Sequence, residues 1–463
     1  MGSGSKNRKL AEAILGTLLV LMLLTVIAVV SVFILTAKTP DSHEQGPEED
    51  SAQLLTREEV DAKLQENFQE QESDGNPVAP SDSEEEVPPV EDKDRLSEDE
   101  VLPEDEDTVE NPVNETVELF LGEMSLHDKI CQMILAAPEA LTGVETATAA
   151  GQMTQEAMSD YPVGGVILFA KNLESKDQTV EMISNLQEYA KEYNGIGLFI
   201  SVDEEGGKVA RVAQRLGTTQ LRPMYEYREQ GTKTAYENAA TIAKDISQFG
   251  FNLDFAPVAD TWSNTKNTVI GDRAYGDDFE KTAELISSAV EGFHSENIMC
   301  TVKHFPGHGD TEEDSHTGSA YVYKTLNELR SKELLPFKAG IRAGADMVMV
   351  GHITLPELDS LPASLSSVII TDILRGELEY DGVVITDSLS MKALTDYYGE
   401  DKIAVMAVQA GNDILLCQTG MKSMVHALED AVANGEITEE RIDESVRRIL
   451  ILKYEYGLLE ELP

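Results

Sequence analysis

Residues 298–316 read IMCTVKHFPGHGDTEEDSH. The first five are apolar enough to make a short buried strand. The next fourteen, KHFPGHGDTEEDSH from Lys303 to His316, hold three of the chain's eight histidines, two glycines, a proline and several carboxylates. A core strand is ordinarily apolar, and an ordinary surface loop rarely concentrates histidine this way. A buried strand that opens into a polar, histidine-rich loop is where α/β enzymes place their chemistry.

Outward from this segment the same kind of apolar run recurs: GVILF at 165–169, GLFISV at 197–202, LDFA at 253–256, CTV at 300–302, MVMV at 347–350, VVI at 383–385 and ILL at 414–416. Amphipathic, helix-period stretches lie between them at 177–193, 233–249, 279–297 and 326–343. Strands alternating with helices predict a parallel α/β fold. Seven or eight such units in about 350 residues suit a single TIM-like (β/α)8 barrel with extra loop material. A doubly wound open sheet is the alternative, but no G-x-G-x-x-G follows the first strand, which weakens a dinucleotide reading. Polar residues cluster just after the runs: DEEGG from Asp203, then Asp260, Lys303 with His304, His352 and Asp387. In a parallel barrel these positions share one rim, and active sites sit on that rim.

The N-terminal quarter of the chain has a different composition. Residues 13–37 form an apolar run long enough to cross a bilayer core of about 30 Å as a helix. Lys6, Arg8 and Lys9 precede it, so residues 1–12 are expected in the cytoplasm and the remainder outside, as a single-pass signal anchor of the cell membrane. Cleavage after the run would instead make the protein secreted. Residues 38–112 carry about 27 acidic and 5 basic side chains, roughly −22 of the chain's −49, and almost no aromatics. Such a linker cannot bury enough apolar surface to offset chain entropy and is expected to be disordered. The remaining unit, 113–463, is also acidic, which argues against a nucleic-acid partner. Cys131, Cys300 and Cys417 are far apart in apolar contexts and read as buried free thiols.

Three chemistries suit the opening segment. His304, His308 and His316 with Asp310 and Asp314 could ligate zinc, but their spacing fits neither H-E-x-x-H nor a zinc finger. The histidines could instead be structural. The third reading is acid–base catalysis, with Asp314 two residues before His316, where it would orient the imidazole and stabilise its protonated form. Asp387 at the end of an apolar strand is either a helix N-cap or a carboxylate nucleophile.

Taken together, the motifs resemble the β-N-acetylglucosaminidase (β-N-acetylhexosaminidase) branch of glycoside hydrolase family 3, across residues 113–463. KHFPGHGDTEEDSH looks like that branch's signature. DEEGG from Asp203, FAPV at 255–258, GDR at 271–273, TDSLSM at 386–391 and ERIDESVRRI at 440–449 resemble family motifs in the expected order. The resemblance implies Asp387 as catalytic nucleophile and His316, paired with Asp314, as general acid/base. It implies that Asp203, Arg211, Arg273, Lys303 and His304 hold a terminal N-acetylglucosamine. His308 and Asp310 are read as shaping the loop. Glu204 stands at a position that varies in the family and receives no role. Many relatives carry a second domain that contributes to the site; this chain ends soon after the barrel, so the Asp314–His316 loop is expected to supply the acid/base by itself. No cofactor or metal is implied. An externally tethered enzyme of this kind would meet cell-wall glycan, so peptidoglycan or muropeptide fragments are the expected substrate. The competing expectations are a β-glucosidase, a phosphorylase, or an inactive cell-surface sugar-binding protein.

Overall fold

The computed structural model describes residues 112–312 and 318–459. The run at 13–37 and all of the expected linker but its last residue lie outside the described residues, as do Asp314 and His316. Among the described residues no helix is long and apolar enough to cross a membrane. The first described element is the helix Pro112–Glu123, starting one residue before the expected boundary.

Eight strands run parallel, each beside the next in chain order: β1 (Ile134–Ala136), β2 (Gly165–Ile167), β3 (Phe199–Val202), β4 (Leu253–Asp254), β5 (Met299–Phe305), β6 (Met347–Val350), β7 (Val383–Thr386) and β8 (Leu415–Cys417). β8 returns to pair with β1, Ile134 opposite Leu415. The remaining seam, between β7 and β8, is held by one parallel bridge from Ile385 to Ile414, so the barrel is nearly closed. Eight parallel strands in chain order, with the last beside the first, are the (β/α)8 arrangement and not an open doubly wound sheet.

The strands are short and buried throughout; even Lys303 and His304 in β5 are covered. Between β4 and β5 the helix Phe279–His294 shows how the local sequence builds a barrel unit. Asp278 caps it by accepting from Lys281 N–H at 2.9 Å. Leu285, Ile286, Ala289, Val290 and Phe293 then form a stripe at helical spacing, all buried. Each large apolar side chain so covered contributes about 1.5–3 kcal/mol.

Two expectations need correction. β1 has no counterpart among the runs read from the sequence: three apolar residues directly follow the helix Leu126–Gln132 and continue its apolar pattern. The stretch 326–343 is also not one helix. It breaks into Leu326–Ser331 and Leu334–Arg342. Pro336 has no N–H to give the Lys332 carbonyl four residues back, and its ring would collide with that carbonyl, so one helix cannot run through both. The three cysteines are buried free thiols, as expected.

Candidate active site

The carboxyl ends of the strands carry the polar residues. Asp203, just beyond β3, accepts a hydrogen bond from Lys303 Nζ at 2.7 Å. Lys303 also reaches Glu205 Oε1 at 2.7 Å. Arg273 closes the chain of charges, donating from Nε and Nη2 to the two Glu205 oxygens at 2.7 and 2.8 Å. The order is carboxylate, ammonium, carboxylate, guanidinium, drawn from three separate rim segments. Buried charges persist only when paired in this way. Burial alone would raise the Glu205 carboxyl, yet Arg273 and Lys303 hold it well below the usual carboxylate range. Burial works against the Lys303 ammonium, and Asp203 and Glu205 overcome it, so this group sits above its ordinary value. Glu205 and Lys303 therefore stay charged on both sides of neutrality.

A second buried set lies beside it. His304 Nδ1 is 2.7 Å from Asp260 Oδ2, and the His304 main-chain N–H donates to the same oxygen at 3.1 Å. The other Asp260 oxygen accepts from the His308 N–H at 2.6 Å. Burial favours a neutral Asp260, but His304 and His308 outweigh it and keep the carboxyl below its ordinary value. With a carboxylate at Nδ1, that nitrogen carries a proton. His308 pairs its Nδ1 with Thr311 Oγ1 at 2.8 Å, and its carbonyl accepts from Asn267 Nδ2 at 2.7 Å. Asp310 accepts from Ser263 Oγ at 3.1 Å and lies 3.1 Å from Lys324 Nζ, while Ala320–Tyr321 pairs with Ile353–Thr354. Both flanks of the segment that contains Asp314 and His316 are thus fastened to the barrel rim.

Asp387 follows β7. Its N–H donates to the Val350 carbonyl at 2.9 Å, and its Oδ1 accepts from Ser388 N–H at 2.7 Å. The next helix, Lys392–Thr395, has Met391 at its N-cap, so Asp387 does not serve as that cap. His352, beyond β6, supports this loop: its Nδ1 pairs with Ser364 Oγ at 2.7 Å and its Nε2 with the Ser388 carbonyl at 2.9 Å.

Asp203, Arg211, Arg273, Lys303, His304 and Asp387 all line one cavity of about 560 Å³, with Phe169, Phe255 and Met349 among its apolar walls. Its size suits a small ligand. A larger open depression of about 910 Å³, bordered by Gln155, Glu156, Tyr189 and Tyr193, contains none of these residues. Among the described residues, three donors suited to a metal converge only at His294, Cys300 and Asp346, near the starts of β5 and β6 and so at the other end of the barrel.

Residues 125–452 match the glycosyl hydrolase family 3 N-terminal domain. The chain belongs to glycosyl hydrolase family 3. It is similar to beta-hexosaminidase A of Pseudoalteromonas piscicida, 33% identical over 324 residues, with 64% of this chain and 54% of that protein covered. It is also similar to the beta-hexosaminidase of Xylella fastidiosa strain M23, 34% identical over 314 residues, 64% of this chain and 91% of that protein. Among solved structures it resembles a family 3 beta-N-acetylglucosaminidase from Paenibacillus sp. str. FPU-7, at 39% identity and a TM-score of 0.68, covering 72% of this chain and 63% of that one. The chain thus spans about half of the Pseudoalteromonas protein and under two thirds of the Paenibacillus one.

Within this family 3 barrel, three residues without a role in the sequence reading hold the site in place: Glu205 pins Lys303 and Arg273, Asp260 pins His304, and His352 pins the loop after Asp387. Asp260 and His352 were visible as polar residues following apolar runs. Glu205 stood in the open beside Asp203, but its partners lie 68 and 98 positions further on.

Proposed function

We propose that this barrel is a retaining exo-β-N-acetylglucosaminidase, removing a non-reducing terminal N-acetylglucosamine. The observation that carries the reading is the convergence of Asp387 with Asp203, Arg211, Arg273, Lys303 and His304 on one cavity at the strand ends. Charged, multi-donor side chains give directional hydrogen bonds to sugar hydroxyls, and bonds that tighten in the transition state raise the rate.

In this mechanism the Asp387 carboxylate attacks the anomeric carbon while protonated His316 gives its proton to the departing glycosidic oxygen. The carbon–oxygen bond to the leaving group breaks and a glycosyl ester of Asp387 forms. Neutral His316 then takes a proton from water, which attacks the anomeric carbon, releases the sugar and restores both groups. Most retaining enzymes use a second carboxyl as acid, kept protonated by a raised pKa. Histidine, with an ordinary pKa of about 6.5, exchanges protons near neutrality unaided.

The substrate we favour is a cell-wall muropeptide or glycan fragment, met outside the cell by an enzyme anchored through residues 13–37. The acidic body is repelled by an anionic wall at long range, which favours small fragments over tight polymer binding. The deciding assay compares p-nitrophenyl N-acetyl-β-D-glucosaminide with the corresponding glucoside, with and without phosphate. Release of N-acetylglucosamine supports the reading. Sugar 1-phosphate identifies a phosphorylase, preference for the glucoside a β-glucosidase, and binding without turnover a sugar-binding protein.

A further inference from the structure

Arg211 is the first residue of the helix Arg211–Leu216, and the residue before it, Ala210, has no side chain that can cap the helix. A helix of six residues does not hold itself together in water. Its free N-terminal N–H groups need acceptors.

Those acceptors come from Glu204. Oε2 accepts from Val212 N–H at 2.7 Å and Oε1 from Ala213 N–H at 3.1 Å. These are the second and third N–H groups of the helix, the ones a capping Ser or Asp would ordinarily take. Glu204 reaches them because Glu204–Gly206 folds back antiparallel on Val209–Ala210, placing Glu204 opposite Ala210. The turn runs through Gly206 and Gly207, at φ of 84° and 57°. The Glu204 main-chain N–H donates to Asp254 Oδ1 at 3.0 Å, which ties the whole unit to β4.

We infer that Glu204 is a positioning residue for Arg211: its carboxylate supplies the cap that the helix lacks, and protonating it loosens Arg211 at the wall of the sugar cavity. The inference rests on the N-acetylglucosaminidase reading. An ionised carboxylate presents two acceptors to two N–H groups and places negative charge at the positive end of the helix. A protonated one presents a hydroxyl hydrogen to one of those donors.

The charged groups around Glu204 come from three elements: Arg211 on its own helix, Asp245 on the helix Thr232–Ser247, and buried Asp254 on β4. Burial is the largest influence. It outweighs the Val212 and Ala213 hydrogen bonds and Arg211, and pushes the carboxyl up to about 7. Between its ordinary value and about 7 the folded chain keeps a proton that the unfolded chain has lost. Global stability from this group therefore falls as pH rises through that window. The ionised, doubly accepting form dominates only above it, so sugar affinity should improve with rising pH while stability declines.

The test measures the inhibition constant of N-acetylglucosamine against the aryl glycoside for the full chain, from pH 5.5 to 8.5. Product inhibition reports binding apart from proton transfer. Affinity should weaken about fivefold as pH falls through 7, the size of one lost cap hydrogen bond. E204Q, which keeps one acceptor and turns an amide donor toward the other N–H, should show the weaker value at every pH, with KM moving more than kcat. A pH profile for E204Q that overlays the wild type overturns the inference. If E204Q does not fold by circular dichroism, R211A decides the matter: its inhibition constant must lose the pH step, and a retained step overturns the inference. Absence of any turnover by the wild-type enzyme would instead sink the functional reading itself.

Discussion

Arg273 grips Glu205 through two parallel hydrogen bonds, 2.7 and 2.8 Å long, where the Glu205 side chain is 3% exposed and that of Arg273 is 12%. The same carboxylate also holds Lys303 at 2.7 Å. Glu205 is thus an anion shared by two cations that line the cavity at the strand ends.

Replacing it with Gln leaves Lys303 and Arg273 beside each other without the carboxylate that both contact. Loss of one partner of a buried ion pair costs about 3–5 kcal/mol, so Glu205→Gln should lower the urea midpoint by that equivalent and weaken sugar binding as well. The native pair should also outlast mild acid. A depressed carboxyl contributes stability that is present above its ordinary pKa and is lost only as pH falls through the lower folded value. The raised Lys303 contributes stability that is present below its ordinary value of 10.5 and is lost as pH climbs through the higher folded one. Stability scans from pH 5 to 10 on wild type and Glu205→Gln should therefore run parallel. Curves that converge inside that range would remove the cluster from this account.

Asp387 is the group whose loss should be felt in chemistry and not in folding. It is only partly buried, and the main-chain groups of Val350 and Ser388 are among its hydrogen-bond partners. Asp387→Asn keeps the shape and the hydrogen bond from Ser388 N–H, so the melting temperature should stay within a few degrees of the wild type. Turnover of the aryl N-acetylglucosaminide should fall by at least about a thousandfold, as for removal of a covalent nucleophile. An Asp387→Asn enzyme turning over at the wild-type rate would rule out the nucleophile.

How far the fold could be read differs from strand to strand. Seven barrel strands were legible because each is an apolar run bounded by a polar break, and Asp203, Lys303, His304 and Asp387 at those breaks line the cavity. β1 was not legible, because Ile134–Ala136 follows the helix Leu126–Gln132 without a break and three residues cannot declare a period of two. Of the residues singled out in motifs, Asp203, Arg211, Arg273, Lys303, His304 and Asp387 meet at one cavity. What the supporting residues hold was not legible, because the pairing of Glu205 with Arg273, or of His352 with the Ser388 carbonyl, is settled by barrel closure and leaves no local mark. Glu204 shows the same limit from the other side: its cap lies eight and nine residues away across a hairpin, beyond the three-residue spacing that marks an ordinary capping residue.

The glycine pattern of HFPGHGD has a cause that its spacing does not disclose. A Cβ on Gly309 would lie 1.8 Å from the Thr261 carbonyl oxygen and 2.6 Å from its carbon, and neither is a side-chain atom that can turn away. Thr261 adjoins Asp260, so backbone displaced there carries the His304 support with it. Gly309→Ala should lose about 1–3 kcal/mol of stability, as overpacking does, and should raise KM. Gly318→Ala, where a Cβ meets nothing within 4 Å, is the control on the far flank of the same segment and should behave as wild type in the melt. Equal melting temperatures for the two variants would show that the close approach at Gly309 is not a constraint.

The acid/base role of His316 is decided by the leaving group. A phenol with a low pKa departs as its anion and needs little protonation, whereas a sugar alcohol must receive a proton as its bond breaks. His316→Ala should therefore lose about 10²–10⁴-fold on a disaccharide substrate and much less in the glycosylation of an activated aryl N-acetylglucosaminide. The pH dependence supplies an independent reading. In the proposed mechanism glycosylation uses protonated His316 and deglycosylation the neutral form, so the wild-type rate should peak near neutrality, around histidine's ordinary pKa of about 6.5. Lys303, Glu205 and Arg273 keep their ionisation across that range and should add no limb of their own. In His316→Ala the limb due to the acid should vanish for the disaccharide. Equal losses on both substrates, with the wild-type pH optimum retained, would assign the proton transfer to another group.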